Sequence, residues 1–466
     1  MGTIQEIDWS QSTGPKYRVL AQRIEASIAD GALKTGEKMP PVRDLAWDLK
    51  VTPGTVARAY QWLIDRNVLN AKVGSGTFVS VLDRSPTAGE SLMVENAKLS
   101  GVVLDMRSPI LPDVGQVEHV REGLRAAAEM DTDMILFYPD MVQSRALREL
   151  ILHRKIKSFE TAHLSADHMV LTHGGQHAIS LILQAVLKGP KPVVLTEELA
   201  YPGFRHAVQQ VRGRAVAVQQ DDDGPIPASI RAACQAHDVQ LLATSAFAHN
   251  PTTITTSPAR RAEIAELARA FDFHIIDDQS YGLVRVDRPS YRDLAPDRVW
   301  FISSLSKSIA PNLRFGWFVT PDGWRSRGQR AASHSSFGVS RIIMSVAEHV
   351  LSHPDADKVR DAVVADNTAR VEIMREVFAG YDLRARPDVA FAYLAMPSGW
   401  RASAFQRAAE DAGVLLRNAD AYVLVDGRAP NAVRLAVNSS VSRDRFRLGC
   451  QVLRDLLDNP PHEIGV

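Results

Sequence analysis

The chain has 466 residues, 45% of them hydrophobic, which is enough for two or three domains with sizeable cores. Lysine plus arginine and aspartate plus glutamate both number 54, so no overall field attracts nucleic acid or membranes, and such contacts require a local patch. The sequence has no apolar run of membrane-spanning length and no secretion signal at the start, so we expect a cytoplasmic protein without membrane contacts. Its two cysteines, Cys234 and Cys450, are widely separated, so we expect neither disulfide bonds nor a metal site.

Two helices are predicted in the first fifty residues. The first should end at Gly31, and its apolar face comprises Tyr17, Leu20, Ile24 and Ile28. The second is expected over Met39–Leu49, with an apolar stripe formed by Val42, Leu45, Ala46 and Leu49. Both stripes predict helices that bury one face in a small core.

A third helix is predicted directly after a tight turn. Thr52 is the expected N-cap and Pro53 the first helical residue, where its missing N–H costs nothing. The outward polar face of this helix comprises Thr55, Arg58 and Gln61. Two short helices joined in this way are typical of a helix-turn-helix. The following Val68–Val79 segment favours a β-hairpin, or wing, whose glycine-bearing turn lies next to Lys72.

Three motifs in this region resemble the GntR-type winged helix: Met39-Pro-Pro-Val-Arg-Asp-Leu-Ala46, Val51-Thr-Pro-Gly-Thr-Val-Ala-Arg-Ala-Tyr60 and Gly74-Ser-Gly-Thr-Phe-Val79. The resemblance implies that residues 1–80 bind operator DNA through Arg43, Arg58 and the wing around Gly76. Family members usually have serine where this chain has Pro41, which puts one phosphate contact in question. With ten basic residues against eight acidic ones in this segment, we expect specificity from the placement of a few arginines. A winged helix used for protein contacts is the alternative.

After a linker expected at 81–103, strands and helices alternate. The apolar runs are continuous, which is typical of strands covered on both faces in a mostly parallel α/β sheet. They comprise His168–Thr172, Pro192–Thr196, Ala215–Val218, Leu241–Thr244, Phe273–Asp277, Val299–Ser303 and Gly316–Val319. Cofactors bind such sheets at the carboxyl ends of the strands, so the polar residues there are candidate ligands.

Lys307 lies among hydroxyl residues just after one of these runs. Desolvation there would favour the neutral amine, which reacts with carbonyl groups. The guanidinium of Arg314 and the hydroxyls of Ser304 and Ser306 are suited to a phosphate dianion. An aldehyde-reactive lysine beside a phosphate site indicates pyridoxal 5'-phosphate. The alternative is a surface lysine followed by an ordinary loop.

Other strand ends offer groups that suit the same cofactor. The backbone near Gly175 and Gln176 opens a helix and can bind phosphate. The ring of Tyr201 can stack on a pyridine, and the amide of Asn250 can donate to a phenolate oxygen. A carboxylate at Asp278 can pair with a protonated ring nitrogen, which makes the ring an electron sink. Taken singly, these residues also fit a simple turn, a packed tyrosine or an Asn-Pro turn.

In their order, these motifs resemble the class I aminotransferases of fold type I over about residues 105–460. The resemblance implies an internal aldimine at Lys307, a pyridine nitrogen paired with Asp278, a stacked Tyr201 and a phenolic oxygen bound by Asn250 and Tyr281. It implies a phosphate site formed by Gly175, Gln176, Ser304, Ser306 and Arg314. Residue Tyr138, in Phe137-Tyr-Pro-Asp140, resembles the tyrosine that reaches the neighbouring subunit's phosphate. Residue Arg434, in Ala432-Val-Arg-Leu435, resembles the arginine that binds a substrate carboxylate; the alternative is a solvated or ion-paired arginine.

The chain departs from the aminotransferase pattern at several positions. Thr253 stands where a glycine usually follows Asn-Pro-Thr, Ser144 stands at another expected glycine, and the segment 386–390 is not glycine-rich. These departures alter the walls on the substrate side, so they caution against assigning a substrate or full turnover.

A winged helix ahead of an aminotransferase-like domain resembles the MocR subfamily of GntR regulators. The resemblance implies head-to-tail homodimers, with residues 104–466 as the effector domain and a smaller C-terminal α/β subdomain at about 345–466. We interpret the chain as a regulator that senses a small amine or amino acid by external aldimine formation in place of Lys307. A working aminotransferase and a sensor of pyridoxal phosphate itself are the alternatives; we do not expect a full enzyme, although a transamination half-reaction stays open.

Overall fold

The computed structural model describes residues 15–29, 32–33, 36–64, 68–72, 76–79, 104–140, 142–155, 164–282, 289–424 and 429–460. By its internal contacts the chain divides into two compact units, Met1–Glu90 and Ser91–Val466. The predicted linker at 81–103, the helix end at Gly31 and the turn of the predicted wing lie outside the described residues.

The first unit contains the predicted winged helix-turn-helix. Its elements are α1 (Lys16–Ala29), α2 (Val42–Asp48), α3 (Pro53–Ile64), β1 (Leu69–Lys72) and β2 (Gly76–Val79). The Thr55 N–H donates to Thr52 Oγ1 at 3.3 Å, as expected for an N-cap. Helix α2 begins at Val42, later than predicted, because Pro41 disfavours helical geometry at Pro40 and itself has an extended ψ of 142° as the N-cap. The two strands form an antiparallel hairpin in which Leu69 pairs with Val79.

The second unit is an α/β structure. Its strands are β3 (Leu104–Asp105), β4 (Met169–Thr172), β5 (Val193–Glu197), β6 (Arg214–Val218), β7 (Gln220–Asp221), β8 (Gly224–Pro225), β9 (Val239–Thr244), β10 (His274–Asp278), β11 (Val299–Ser304), β12 (Gly316–Val319), β13 (Leu383–Ala385), β14 (Phe391–Ala395), β15 (Val414–Leu415), β16 (Arg417–Asn418) and β17 (Ala432–Ala436).

Helices separate most of these strands. They are α4 (Gln116–Ala128), α5 (Thr132–Leu136), α6 (Arg145–Lys155), α7 (Gly175–Val186), α8 (Pro202–Gln210), α9 (Pro227–Ala236), α10 (Pro258–Ala270), α11 (Tyr291–Leu294), α12 (Arg325–Ser336), α13 (Arg341–Ser352), α14 (Ala356–Val377), α15 (Ala402–Asp411) and α16 (Arg443–Asp458). No helix among the described residues combines the length and hydropathy that a membrane crossing requires.

The predicted apolar runs form the central sheet. Among the described residues its strand order is β4-β12-β11-β10-β9-β5-β6, and all neighbours are parallel except the pairs made by β12. Alternate residues of the strands enter two different cores. Residues such as Ile276 and Trp300 pack with α7, α8 and α12, whereas their neighbours Ile275 and Val299 pack on the other face with α10. The mostly parallel α/β prediction is therefore confirmed.

A smaller sheet follows in the C-terminal part of the chain. Its strand order is β13-β14-β17-β16, with antiparallel neighbours, and it packs against α14, α15 and α16. Strand β3, from the start of the unit, pairs with β15 in a separate two-stranded sheet. The smaller C-terminal α/β layer brings β16 and β17 to the same cavity as the carboxyl ends of the central strands.

Candidate functional site

One cavity of about 200 Å³ brings together most of the predicted cofactor and effector residues. Its lining includes Gly175, Gln176, Tyr201, Asn250, Asp278, Tyr281, Ser304, Ser306, Lys307, Arg314 and Arg434. The parallel order of β9, β10 and β11 explains this gathering, because the loops after these strands leave the same edge of the sheet.

A lysine from the loop after β11 and a carboxylate at the end of β10 both line this cavity. Lys307 Nζ lies 5.4 Å from the ring centroid of Tyr281. Oδ1 of Asp278, at the end of β10, accepts hydrogen bonds from the backbone N–H and the hydroxyl of Ser280, at 2.9 and 2.6 Å. Burial raises the pKa of Asp278, while the hydrogen bonds from Ser280 and the nearby Lys307 act in the opposite direction. Because burial removes water from this carboxylate, a bound cation would stabilise its charged form.

The adjacent Asp277 has a different environment. It is fully buried, its Oδ2 accepts from Gln279 Nε2 at 2.8 Å, and burial raises its pKa to about 6. Of the two consecutive aspartates, Asp278 is the one that lines the cavity.

At the end of the cavity where the sequence predicts a phosphate site, two glycines and an arginine approach one another closely. Gly174, with φ +85°, precedes the first residue of α7, and Arg314 donates from Nη2 to the carbonyl of His173 at 3.2 Å. A Cβ atom at Gly174 would lie 2.9 Å from that Nη2, and one at Gly316 would lie 2.9 Å from the Cα of Gly174. The helix start and the guanidinium can therefore face one phosphate group together.

An aromatic ring and an amide also line the cavity. Tyr201 lies over Gly203, where a Cβ would overlap its ring, and Gln176 Nε2 donates to the carbonyl of Gly203 at 3.0 Å. Gln176 Oε1 is buried and has no hydrogen-bond partner among the described residues. A buried acceptor beside the cavity wall is a group that a bound ligand can satisfy.

The smaller sheet contributes an arginine to the same cavity. Arg434, in β17, is only 5% exposed; it donates to Asn250 Oδ1 at 3.1 Å and to the Arg107 carbonyl at 2.6 Å. Its Nε is buried and lacks a partner within the described chain. Because both acceptors are neutral oxygens, they stabilise the guanidinium charge less than a carboxylate would.

Some lining residues were not predicted from the sequence. These are Arg107, Ser108, Pro109, Pro202, Ser245, Ser280, Pro311, Arg417 and Tyr422. Arg417 is the cross-strand partner of Arg434 in the register of β16 with β17. This register places the two arginines side by side. The sequence did not indicate Arg417, because a two-residue strand is too short to show a periodic pattern.

Tyr138 does not line the cavity. It is 74% exposed, and its ring stacks on that of Phe337 with centroids 4.9 Å apart. Tyr138 is therefore accessible on the surface, and its contact with a neighbouring subunit's phosphate stays a prediction.

The predicted DNA-binding side chains lie in the first unit, mostly exposed. Arg43, Arg58 and Gln61 are exposed on α2 and α3, as is Gly76 at the start of β2. Thr55 is half-buried, with its hydroxyl 2.9 Å from that of Thr52. The side chain of Lys72 lies outside the described part of the structure.

Replacing Gly174 by alanine should loosen the anion-binding end. The change costs about 1 kcal/mol or more because alanine disfavours positive φ, and it also pushes the Arg314 guanidinium away. Gly323→Ala is the matched control, since Gly323 has φ +81° but no atom within 4 Å of the position that an added Cβ would occupy. Both variants should unfold at lower denaturant concentration, but only Gly174→Ala should weaken phosphate-cofactor binding, by about tenfold for the loss of one charge-assisted contact. Equal binding by the two variants would contradict the proposed role of the close approach.

Comparison with known proteins agrees with this architecture. Residues 16–79 match the family of bacterial regulatory proteins, gntR family, and residues 108–453 match aminotransferase class I and II. The chain is 27% identical over 451 residues to the uncharacterized HTH-type transcriptional regulator YdeF of Bacillus subtilis, covering 96% of this chain and 95% of that one. It is 28% identical over 343 residues to the HTH-type transcriptional regulator TauR of Rhodobacter capsulatus, covering 65% and 67%.

The second unit also has solved structural neighbours. An archaeal alanine:glyoxylate aminotransferase superposes with a TM-score of 0.67 and 21% identity, over 76% of this chain and 90% of that chain. At this identity the likeness establishes the fold alone.

The fold and the matches define a transcriptional regulator in which a GntR-type DNA-binding domain is joined to an aminotransferase-like domain. The chain belongs to the MocR subfamily of GntR regulators, which confirms the resemblance found in the sequence. Proteins of the aminotransferase class I fold family normally bind pyridoxal phosphate.

Proposed function

We propose that this regulator binds pyridoxal 5'-phosphate in the cavity and uses it to sense a small amino compound that carries a carboxylate. The observation that carries the proposal is the convergence of Lys307, Asp278 and Arg314 on one cavity. Each of these groups matches a different part of the cofactor, and their common location is hard to explain by packing alone.

The residues present fit the cofactor. Arg314, Ser304, Ser306 and the start of α7 would hold its phosphate, in a space that Gly174 keeps clear. Asp278 would pair with the ring nitrogen, Tyr201 would stack on the ring, and Asn250 and Tyr281 would donate to the phenolic oxygen. When bound, the cofactor supplies an aldehyde that reacts reversibly with amines.

Lys307 is the chain's own amine for that aldehyde. An effector ammonium that takes its place would pass its protons to the displaced lysine, so Lys307 would return to the cavity as an ammonium, near Asp278 and the ring of Tyr281. The lysine thereby gains a charge that its neighbours must accommodate. Effector binding thus changes the electrostatics of the cavity even before any movement of the chain.

Arg434 supplies the proposed carboxylate contact. It already links the smaller sheet to the loop after β9, through Asn250 Oδ1, and to the segment after β3, through the Arg107 carbonyl. A carboxylate accepts stronger, charge-assisted hydrogen bonds than these neutral oxygens, so an effector would compete for the guanidinium. If the smaller sheet has a second position in which Arg434 binds the effector better, the effector would bias the sheet toward that position, as an allosteric response requires.

We further propose that the regulator acts as a homodimer, in head-to-tail orientation. Exposed large apolar side chains cluster in the segment that contains Tyr138 and in the loop and helix around its ring partner; they are Met134, Ile135, Leu136, Phe137, Val142, Phe337 and Ile342. Several such side chains in one short segment are typical of a surface that another chain covers. A second copy would bring Tyr138 to a neighbouring phosphate site.

An active aminotransferase is the second candidate. A first half-reaction needs a lysine, an aspartate and two arginines, and Lys307, Asp278, Arg314 and Arg434 all line one cavity. A further alternative is a sensor of the cofactor itself, in which cofactor binding alone would change the DNA affinity.

The test is a titration of the full chain, first with pyridoxal phosphate and then with α-, β- and γ-amino acids. We expect the cofactor to produce the absorbance band of an imine, and borohydride reduction to remove this band and leave the cofactor attached to Lys307. Without borohydride, one class of amino acid should shift the band and change DNA affinity. Propylamine, which lacks a carboxylate, should bind at least about tenfold more weakly if Arg434 makes its charge-assisted contact. Rapid formation of a keto acid would favour the aminotransferase, a DNA response to the cofactor alone would favour the cofactor sensor, and no band at all would overturn the proposal.

A further inference from the structure

A second group of ligating side chains lies outside the cavity. One ligand atom each from His119, His353 and Asp355 lies within 4.8 Å of the others, and all three side chains are half-buried. His119 is in α4, His353 is the C-cap of α13, and Asp355 is the N-cap of α14. Three elements therefore meet at this cluster.

The two imidazoles are close but incompletely satisfied. Their rings stack with centroids 3.8 Å apart, and Nδ1 of His119 is buried with no hydrogen-bond partner among the described residues. The backbone N–H of Asp355 donates to Nδ1 of His353 at 3.1 Å. A buried ring nitrogen without a partner is costly, and a bound cation would remove that cost.

We propose that His119, His353 and Asp355 form a binding site for a first-row transition-metal ion, with Zn²⁺ as the best match. Two imidazoles and one carboxylate suit zinc, with water in the remaining position, and are a poor set for the hard cations Mg²⁺ and Ca²⁺. This site goes beyond the proposed function and does not depend on it.

The geometry requires modest movement. Two ligand atoms on one tetrahedral zinc ion are about 3.3 Å apart, for zinc–nitrogen bonds of about 2.0 to 2.1 Å. Rotation of half-buried side chains can bring these atoms together, which opens the ring stack. Binding through Nε2 of His353 also moves the ring proton to Nδ1 and ends the hydrogen bond from Asp355.

Neighbouring charges set the expected response. Lys358 Nζ lies 2.7 Å from Asp355 Oδ1, so the ammonium competes with a metal ion for this carboxylate. On the other side, His349 Nε2 lies 3.5 Å from Glu122 Oε2. Removing the Lys358 charge should therefore strengthen metal binding, whereas removing a ligand should weaken it.

A metal ion at this position would cross-link α4 to the connection between α13 and α14. The same α14 goes on to pack against the smaller sheet through Val371 and Met374. Metal binding would thus restrain the start of the helix that supports this sheet. It offers a second input to the arrangement of the effector domain.

The experiment is calorimetric titration of the untagged full chain with Zn²⁺ and, separately, Mg²⁺, together with the visible spectrum of the Co²⁺ complex. We expect one Zn²⁺ per chain, no Mg²⁺ binding and a tetrahedral Co²⁺ spectrum. His119→Ala and Asp355→Asn should each weaken binding at least about 100-fold, more than the loss of an outer partner does, while Lys358→Gln should strengthen it about fivefold.

His153→Ala is the matched control, because His153 is an exposed histidine in α6 that is not part of the cluster. It should leave the Zn²⁺ affinity unchanged. Circular dichroism of each variant separates a lost ligand from a lost fold. Weak binding that is the same in the wild type, in the ligand variants and in Lys358→Gln would overturn the site, whether or not the chain binds pyridoxal phosphate.

Discussion

Lys307→Ala is expected to abolish both the cofactor absorbance band and the response of DNA binding to the effector. The variant has no amine for the aldehyde, so no covalent bond to the chain can form or be exchanged. It also removes the cation that helps to lower the pKa of Asp278, which leaves that carboxylate more easily protonated. Wild-type DNA affinity should change about 5- to 150-fold with effector, the usual range of allosteric coupling, and that of the variant by a factor close to one.

The measurements are absorbance spectra with pyridoxal phosphate and fluorescence anisotropy with a DNA duplex selected by the wild type from a randomised pool. Lys307→Arg keeps a cation near Asp278 but cannot react with the aldehyde, so it should behave like Lys307→Ala in the response. Lys191→Ala removes an exposed lysine just before β5 and should behave like the wild type. DNA affinity without effector should be the same in all of them. A full effector response in Lys307→Ala would show that amine exchange is the wrong mechanism.

The central sheet was predictable because most of its strands are buried on both faces; the edge strand β6 is partly exposed. Such strands appear in the sequence as uninterrupted apolar runs, and the structure contains a strand at each predicted run, from β4 to β12. The strands of the smaller sheet were harder to predict. Strand β16 has only two residues, Arg417 and Asn418, so no periodicity could reveal it, and its pairing with β17 depends on tertiary contacts.

The cavity shows the same division. Residues that directly follow central strands, such as Asp278 and Lys307, could be placed at one edge of the sheet from the order of the motifs. Arg107 and Arg417 could not, because they enter the cavity from short segments whose positions depend on packing between distant parts of the chain. The sequence also predicted no metal site, since His119 and His353 are far apart in the chain and meet only through the packing of α4 with α13.

One departure from the family pattern became clearer in the structure. Thr253 stands where a glycine is usual, and its φ is +65°, a region that a β-branched residue rarely adopts. The loop after Asn250 therefore keeps a glycine-like backbone without the glycine. From the sequence alone, the threonine could equally have indicated a different loop conformation.

Arg58→Ala is expected to weaken binding to the selected duplex by about 5- to 150-fold, the loss of about 1 to 3 kcal/mol typical of one specific arginine contact. The side chain is exposed on α3, and its Cζ lies 4.5 Å from the ring centroid of Tyr17 in α1. That ring restrains a long side chain that would otherwise lose more entropy on binding DNA. Anisotropy at several salt concentrations measures the affinity and its salt dependence.

The control variants separate a specific contact from a general loss of charge. Arg23→Ala removes the same charge from an exposed position in α1 and should cost much less. Tyr17→Leu keeps Arg58 but removes its aromatic partner, so it should produce an intermediate loss without changing the salt dependence. If Arg58 contacts a phosphate, its removal should lower the salt slope by about one and affect random DNA equally; if it contacts a base, the loss should be confined to the selected sequence. In either case the absorbance response to effector should remain, because Lys307 and its cavity are unchanged. If Arg58→Ala bound DNA with unaltered affinity, Arg58 would not be part of the DNA interface.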